Sequence, residues 1–183
     1  KKIWIDSPTS IELEGELTVL LPTPENKKKI FPGESWMLGE TVNASLGKGI
    51  VLAKPIQLAM LLRCEAADGV YNQPYLVESL LNNDGSVYQM AEHAPARNIG
   101  ISMHTLRLIQ NALEGVAEEG GTASYFASLP KQIAAKTGTA ENPHGRDHGL
   151  FVAYGPAEKP ELVVACIIEQ GGFGTSAAGP IVY

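Results

Sequence analysis

The sequence predicts a domain of mixed α and β class, in which helices pack on an antiparallel sheet. Two helical segments occupy the middle of the chain, and three strand-like runs joined by short links fill its last third. Parallel neighbours would need a crossover of about a dozen residues or more, so the short links predict antiparallel pairing. Helices followed by such a meander of strands are typical of an α+β arrangement.

The first helical segment is KPIQLAMLLRCEAAD, which begins at Lys54. Pro55 suits the first helical turn, where a backbone N–H has no partner within the helix, and Gly69 suits a C-terminal cap. The apolar residues of this segment surround the helix axis almost completely. We therefore expect the helix to be buried on most sides.

A hairpin is predicted after this helix. Two strand-like runs, residues 75–81 and 86–90, flank the turn sequence Asn-Asn-Asp-Gly. An Asx-Gly pair favours a tight hairpin turn, because both residues tolerate a positive φ angle.

The second helix is predicted to follow Ser102, whose hydroxyl can cap the first turn. Apolar residues then recur at helical spacing and define one buried face, and Gly120 with Gly121 ends the helix. The residues of that face are Leu106, Ile109, Leu113 and Val116.

The strands of the last third are predicted at residues 133–139, 150–154 and 162–169. The polar loop ENPHGRDHG joins the first two, GPAEKPE joins the second and third, and a further helix begins in AAGPIVY. The first 50 residues carry prolines, glycines and a lysine run, so we expect irregular structure with short strands there, and residues 27–29 in a solvated loop.

Bulk properties limit the class of protein. The 183 residues suffice for one domain or a large piece of one, and the net charge of −6 argues against a nucleic-acid partner. No apolar run approaches the roughly 20 residues needed to cross a bilayer, and the chain has no signal peptide. Cys64 and Cys166 lie in apolar stretches and are predicted to be free, buried thiols.

The sharpest chemical motif is Lys136-Thr137-Gly138-Thr139, on the first strand of the last third. Gly138 lacks a Cβ, so a substrate can lie against the backbone of the strand. The hydroxyl of Thr137 can donate a hydrogen bond to a carboxylate beside the ammonium of Lys136. The backbone N–H of Thr139 can donate to an oxygen that becomes negative in an acyl-transfer intermediate. The tripeptide is short, however, and taken alone it also fits an ordinary solvated strand end.

The residues around the motif continue in a distinctive order. From Lys136 the chain runs KTGTAENPHGRDHGLFVAYGPAEKPELVVACIIEQGG, and the upstream segments TSIELEGE and WMLGETVNASLGKGIVLAKPIQLAM precede it. Together these segments resemble class B penicillin-binding proteins of the penicillin-binding protein 2 type. That family has a K-T-G-T-A strand, an N-P-H-G loop, an F-V-x-Y strand and upstream S-I-G-Q-G and T-P-L-Q-L-A segments. Among the departures, Ser10 replaces a usual Gly, Lys48 a usual Gln and Lys54 a usual Thr.

The resemblance implies a β-lactamase/transpeptidase-like fold, of which residues 1–183 would form the C-terminal portion. It implies a fragment of a peptidoglycan D,D-transpeptidase, a penicillin-binding serine acyl transferase of cell-wall synthesis. In that role Lys136 would be catalytic, and Thr137, Gly138 and Thr139 would bind the substrate. The family needs neither a cofactor nor a metal.

The resemblance also implies partners and a location. The partners would be peptidoglycan stem peptides, β-lactam antibiotics, the rest of the same transpeptidase domain and cell-elongation membrane proteins. The protein would lie at the outer face of the cytoplasmic membrane, in the periplasm, anchored through an N-terminal segment outside this chain.

The family's nucleophile motif, S-x-x-K on a helix, has no good match here. SLGK at Ser45 contains a glycine that disfavours the helix, and SLPK at Ser128 contains a proline that would break it. The chain also has no S-x-N or S-x-D. We therefore expect the nucleophilic serine to precede residue 1 and this chain alone to be inactive, because a serine without its base is a weak nucleophile.

Three alternatives stay open at the level of sequence. The chain could be a non-catalytic β-lactam sensor or binding module, or a relative of the serine β-lactamases, which share K-T-G. The third alternative is a metal site at His144, Asp147 and His148, but their spacing fits no helix-borne ligand pair, and polar loop residues beside a substrate groove explain them more simply.

Overall fold

The computed structural model describes residues 7–17, 19, 21–45, 47 and 52–183. Within these residues the chain forms one 3-10 helix, Ser124–Ser128, in addition to its α-helices and β-strands. In chain order those elements are α1 (Pro24–Ile30), α2 (Leu38–Ser45), α3 (Pro55–Ala66), β1 (Val70–Tyr71), β2 (Ser79–Leu81), β3 (Val87–Met90), β4 (Arg97–Asn98), α4 (Met103–Ala117), β5 (Ala134–Ala140), β6 (His148–Gly155), β7 (Leu162–Ile168), α5 (Gly174–Ala177) and α6 (Gly179–Val182).

The central sheet consists of β5, β6 and β7 in that order, and both neighbouring pairs are antiparallel. Gly138 in β5 lies opposite Leu150 in β6, which in turn lies opposite Ile167 in β7. The three predicted strands and their antiparallel pairing are therefore confirmed. The polar loop is two residues shorter than expected, because β6 begins at His148.

Helices cover both faces of this sheet. Because side chains alternate along a strand, Ala134 and Ala135 at the start of β5 contribute to opposite faces. Ala134 packs with Tyr154 of β6 and with Leu62 and Leu113, which come from α3 and α4. On the other face, Ala135 belongs to a core with six other buried residues: Ala117, Ala123, Phe126, Phe151, Ala153 and Ala178. The predicted architecture of helices on an antiparallel sheet is thus confirmed.

Helix α3 shows how its sequence fixes both ends. The side chain of Gln57 reaches back to accept a hydrogen bond of 3.0 Å from the backbone N–H of Lys54, so the first turn is capped from within. After the helix, Gly69 has a φ of 82° and donates its N–H to the carbonyl of Cys64 at 2.8 Å. Pro55 is the one exposed residue of the helix, which confirms the expected burial.

Helix α4 begins where the capping signal predicted. The hydroxyl of Ser102 accepts a hydrogen bond of 3.1 Å from the backbone N–H of Thr105. Leu106 is fully buried and Leu113 nearly so, while Ile109 and Val116 are partly buried beside them. The helix ends at Ala117, three residues before the predicted glycine pair.

The predicted hairpin is present as β2 and β3, with Ser79 opposite Met90. The first strand begins at Ser79, four residues later than expected. Every residue of β3 is exposed, so the hairpin projects from the body of the domain.

The expectation for the first 50 residues was wrong in part, because residues 24–30 and 38–45 are helical, whereas the other described residues of this stretch are irregular. Lys27, expected in a solvated loop, is buried, with 8% of its side chain exposed. Its ammonium lies 2.7 Å from Glu40 and 3.2 Å from Glu34, and it donates to the carbonyl of Ser35 at 2.9 Å. These contacts raise the pKa of Lys27, and they compensate for its burial.

Two remaining expectations concern the cysteines and membrane spans. Both cysteines are free thiols, Cys64 buried and Cys166 half-buried. Within the described residues, no helix combines the length and apolarity that crossing a bilayer requires.

Candidate active site

The K-T-G-T motif lies on β5, at one edge of the three-stranded sheet. Within the described residues, β5 pairs with β6 alone, so its other edge is not covered by a strand. Lys136 and Thr139 are exposed, whereas Thr137 and Gly138 are half-buried. The segment is therefore extended and accessible, as a strand that receives a substrate must be.

An open groove of about 510 Å³ runs beside this strand. Thr137, Gly138 and Thr139 form part of its wall, and Thr122 lies at the same groove. The opposite wall is the segment from Phe173 to Ser176, at the start of α5. The structure thus brings together the three residues predicted to bind substrate, although their role in binding stays a prediction.

Lys136 lies apart from the other residues of the motif. Alternation along β5 places its side chain on the face opposite to Thr137 and Thr139. Its ammonium donates a hydrogen bond to the backbone carbonyl of Thr137. The ammonium therefore does not line the groove in this conformation, and rotation of the flexible side chain would be needed to bring it there.

Glycine 174 determines how closely the two walls approach each other. A Cβ built on Gly174 would overlap the backbone carbonyl oxygens of Gly138 and Leu150, and it would lie 3.1 Å from the backbone nitrogen of Gly138. Any side chain at this position would push the start of α5 away from β5. The width of the groove thus depends on a residue without a side chain.

Tyrosine 125 holds the same wall from the 3-10 helix. Its hydroxyl donates a hydrogen bond of 2.9 Å to the backbone carbonyl of Thr175. Burial raises the pKa of Tyr125, so the hydroxyl keeps the proton that this bond requires. The start of α5 is therefore fixed on two sides.

Gly138 borders both the groove and Leu150 on the neighbouring strand β6. A Cβ at this position would lie 3.2 Å from the Cβ of Leu150, which is tight for a contact between side chains. The sequence predicted that Gly138 leaves room for a substrate. The structure shows that the absence of a side chain at Gly138 also relieves its packing against Leu150.

The polar loop beside the motif is held by hydrogen bonds within the loop and by one bond from Gln170, which follows β7, to His148 at the loop's end. Asp147 accepts from the backbone N–H of Asn142 at 3.4 Å, and the ring of His148 accepts from the N–H of Gln170 at 3.0 Å. The N–H of His144 donates to the side chain of Asn142 at 3.0 Å. Among the described residues, no three His, Cys, Asp or Glu side chains lie close enough together to bind a metal.

Neither Ser45 nor Ser128 is among the described residues that line the groove. Ser45 ends α2 and donates to the carbonyl of Val42 at 2.7 Å; Lys48 lies outside the described residues. Ser128 ends the 3-10 helix and donates to the carbonyl of Tyr125 at 2.9 Å. Both hydroxyls bond to local backbone, as helix-terminal serines commonly do.

Sequence reasoning missed the second wall of the groove, which runs from Phe173 to Ser176, and also Thr122. The run Gly171-Gly172-Phe173-Gly174-Thr175-Ser176 carried one usable signal. Small and hydroxylated residues directly after a strand often allow close backbone packing.

The fold and the groove define a class: a domain in which an edge strand bearing K-T-G lies beside an open cleft, as in penicillin-recognising acyl transferases. Comparison with known families agrees, because the family described as "Penicillin binding protein transpeptidase domain" matches residues 1–183. The chain belongs to this family.

Individual relatives support the assignment. The chain is 35% identical over 184 residues to the peptidoglycan D,D-transpeptidase MrdA of Escherichia coli K12, covering 91% of the chain but 29% of that relative. It is 34% identical over 142 residues to the transpeptidase PbpA of Mycolicibacterium smegmatis, covering 74% of the chain and 28% of that protein. The chain therefore spans less than a third of the length of these two relatives.

Solved structures match almost the whole chain. Penicillin-binding protein 2 (PBP2) of Pseudomonas aeruginosa, in complex with WCK 5153, superposes with a TM-score of 0.81 at 30% identity. The match covers 99% of this chain and 40% of that one. The PBP2 of Helicobacter pylori, solved in complex with MreC, gives a TM-score of 0.82 at 24% identity and 99% coverage of this chain, with 32% of that chain covered. The β-lactamase/transpeptidase-like fold predicted from the sequence is confirmed.

Proposed function

We propose that this chain is the C-terminal part of a peptidoglycan D,D-transpeptidase domain and contributes the K-T-G-T strand and the facing segment at α5 to its acyl-transfer site. One observation carries the proposal: the K-T-G-T strand lies at a sheet edge beside an open groove, with its hydroxyls on the groove. The names of the relatives, which are D,D-transpeptidases, favour this activity over that of a β-lactamase.

The proposed reaction is acyl transfer between peptides. A serine attacks the carbonyl carbon of a D-alanyl-D-alanine peptide bond, and the terminal D-alanine leaves as the amine takes up a proton. An amine of a second stem peptide then attacks the acyl-enzyme, and the serine regains its proton. A β-lactam would acylate the same serine, because its strained amide reacts as the peptide bond does.

The residues of this chain would act by positioning charge. Thr137 would donate its hydroxyl to the carboxylate of the substrate, next to the ammonium of Lys136. The backbone N–H of Thr139 would donate to the oxyanion of the tetrahedral intermediate, a contact typically worth about 3 kcal/mol. Gly138 would let the substrate approach the backbone of the strand.

The nucleophile would come from sequence outside these 183 residues. Neither Ser45 nor Ser128 lies at the groove, and each bonds to local backbone. The chain alone would then bind a β-lactam at most without a covalent bond. The parent protein would act in the periplasm, at the outer face of the cytoplasmic membrane, anchored by an N-terminal segment. Its partners would include cell-elongation proteins, as the complex of the Helicobacter pylori neighbour with MreC suggests.

The test is covalent labelling with a fluorescent penicillin. The full-length gene product that contains this chain is expected to form one adduct, which peptide mass spectrometry maps to a serine outside residues 1–183. The isolated chain is expected to form none. An adduct on Ser45 or Ser128 would contradict the placement of the nucleophile. A full-length protein that never becomes labelled would instead favour a non-catalytic module.

A further inference from the structure

His148, at the start of β6, holds the segment that leads from β7 into the second wall of the groove. Its ring nitrogen Nδ1 accepts a hydrogen bond of 3.0 Å from the backbone N–H of Gln170. One residue earlier, the carbonyl of Asp147 accepts from the N–H of Gly172 at 2.8 Å. Residues 170–172 directly precede Phe173, the first residue of that wall. The position of the wall therefore depends on a segment that these two bonds hold.

The same segment packs tightly against the backbone of β6. A Cβ on the buried Gly149 would lie 3.1 Å from the carbonyl oxygen of Gly172 and 3.2 Å from that of Phe173. Gln170 has a φ of 54°, which is unfavourable for a residue with a side chain. The turn at Gln170 thus depends on the contacts around it, and the tight packing leaves little room to absorb a movement of Gln170 before Phe173.

The bond between Gln170 and His148 exists only while the imidazole is neutral. A ring nitrogen that accepts a hydrogen bond carries no proton, so the proton of the neutral ring is on Nε2. In the charged ring both nitrogens carry protons, and two N–H groups would then face each other. Histidine is the side chain that ordinarily changes its charge between about pH 5 and 8. Acidification in this range would therefore replace the bond by a repulsive contact.

The other charged groups on the elements around His148 are carboxylates and one guanidinium, which ordinarily keep their charge between about pH 5.5 and 8. They are Arg146 and Asp147 on the loop, Glu141 after β5 and Glu169 after β7. Helix α5 carries no charged residue, and within the described residues none of these groups forms an ion pair with His148. The exposed His144 is the remaining titratable side chain of the loop, and it provides a control.

We propose that His148 is a positioning residue for the acyl-transfer site: its neutral ring holds residues 170–172, and through them the wall from Phe173 to Ser176, and its protonation releases them. His148 acts through Gln170 and is not among the described residues that line the groove. The inference rests on the proposed acyl-transfer function and adds to it a dependence on pH. Acylation should therefore slow in mild acid by a factor that this one histidine determines.

Two substitutions in the full-length protein that contains this chain separate the bond from the titration. His148→Asn keeps an acceptor, because the side-chain oxygen of Asn takes nearly the place of Nδ1, but it does not titrate. His148→Phe keeps a ring and loses the acceptor. His144→Asn removes the exposed histidine of the same loop and is the matched control.

The first measurement is amide hydrogen exchange of the peptide 169–176, expressed as protection relative to the intrinsic exchange rate at each pH. Between pH 8 and pH 5.5, the unaltered protein and His144→Asn are expected to lose protection at least about threefold, the effect of one lost hydrogen bond. His148→Asn should keep its protection at both values, and His148→Phe should have low protection at both. This measurement needs no acyl transfer.

The second measurement is the second-order rate constant for acylation by a fluorescent penicillin, taken as the ratio of variant to unaltered protein at each pH. Groups that titrate alike in both proteins cancel in this ratio. For His148→Asn the ratio should rise at least about threefold from pH 8 to pH 5.5. For His148→Phe it should be below one at pH 8 and approach one at pH 5.5, and for His144→Asn it should be constant.

A ratio for His148→Asn that does not change with pH would overturn the inference. Unchanged protection of the peptide 169–176 in the unaltered protein, a result that needs no variant to fold, would overturn it too. So would the same pH dependence after His144→Asn as after His148→Asn, since the effect would then belong to the loop in general. These results leave the proposed function intact as long as penicillin labels the protein. A protein that is not labelled at any pH would contradict the proposed function and the positioning role with it, even if the exchange data show that the bond responds to pH.

Discussion

The backbone of Gly174, at the start of α5, lies directly against the backbone of Gly138 in the K-T-G-T strand. A Cβ on Gly174 would overlap the carbonyl oxygen of Gly138 and that of Leu150 on the next strand. Both oxygens belong to backbone that is fixed by the pairing of β5 with β6. Neither can move without disturbing the sheet, so residue 174 sets the distance between the two walls of the groove.

Gly174→Ala is therefore expected to destabilise the chain by about 1–3 kcal/mol, the usual range for overpacking a tightly packed site. The free energy of unfolding in urea measures this change. In the proposed full-length enzyme, the same variant should also slow acylation by penicillin, because the start of α5 would shift away from Thr137 and Thr139.

Gly115→Ala is the matched control for this variant. Gly115 lies within α4, and a Cβ there would have no neighbour within 4 Å. Replacing a helical glycine by alanine should stabilise the chain by about 0.5–1 kcal/mol. Equal effects of the two substitutions would show that the contact of Gly174 with β5 has no energetic consequence.

Thr137→Val tests the proposed role of the hydroxyl at the groove. In the full-length protein, we expect the second-order rate constant for acylation by penicillin to fall about 10-fold to 100-fold, the loss expected when a hydrogen bond to a charged group is removed. Thr137→Ser keeps the hydroxyl and should retain most of the rate. If Val and Ser have the same effect, the hydroxyl does not contact the substrate.

Glu65 should make stability depend on pH. Burial raises the pKa of this carboxyl on α3 from 4.5 to about 7. The folded state then holds its proton more tightly than the unfolded state, so stability is greatest below pH 4.5 and falls as the pH rises towards 7. Glu65→Gln should remove this loss and stabilise the chain at pH 8 by up to about 3 kcal/mol, with little effect at pH 4.

The measurement for Glu65 is urea unfolding of both proteins across this range of pH. Glu119→Gln, which alters an exposed carboxyl just beyond α4, serves as the control and should show no comparable trend. A stability difference between Glu65→Gln and the unaltered chain that is the same at pH 4 and pH 8 would contradict the assignment.

The ion pair between Lys54 and Glu16 should have the opposite dependence on pH. The ammonium of Lys54 and the backbone N–H of Thr9 hold the pKa of Glu16 at about 2. Because this pKa is lower than in the unfolded chain, the pair stabilises the fold fully above about pH 4.5 and is lost as the pH falls towards 2. Lys54→Met should lower the urea midpoint at pH 7.

This destabilisation should shrink as the pH approaches 2, because the unaltered chain then loses the pair as well. Lys159→Met, at an exposed lysine between β6 and β7, is the control and should leave the midpoint nearly unchanged. A pH-independent effect of Lys54→Met would mean that the side chain acts through packing alone.

Sequence reasoning succeeded where local chemistry decides the structure. The capping hydroxyl of Ser102, the β-prone runs around Lys136 and the short links between strands each act over a few residues. Residues 24–30 and 38–45 were misassigned as irregular. A helix of seven or eight residues is marginal by itself and depends on tertiary contacts. The contacts of Lys27 with Glu34 and Glu40 stabilise that region, and sequence spacing does not reveal them.

The candidate site was likewise predictable only where its residues belong to one local motif. Thr137, Gly138 and Thr139 follow from a motif on one strand. The opposite wall of the groove comes from a segment more than thirty residues further along the chain, brought there by the packing of α5. The small and hydroxylated residues after β7 indicate close backbone packing, but only the three-dimensional structure shows that Phe173 and Thr175 lie at the groove beside β5.

The burial of Lys27 has a practical consequence for chemical footprinting. Lys27, Lys28 and Lys29 are consecutive and carry the same side-chain amine. Lys28 and Lys29 are exposed, whereas the amine of Lys27 is held between the carboxylates of Glu34 and Glu40. Reductive methylation of the native chain should modify Lys28 and Lys29 and spare Lys27. The progressive labelling of Lys27 would then report the opening of this region, with its two neighbours as a built-in reference for the reagent.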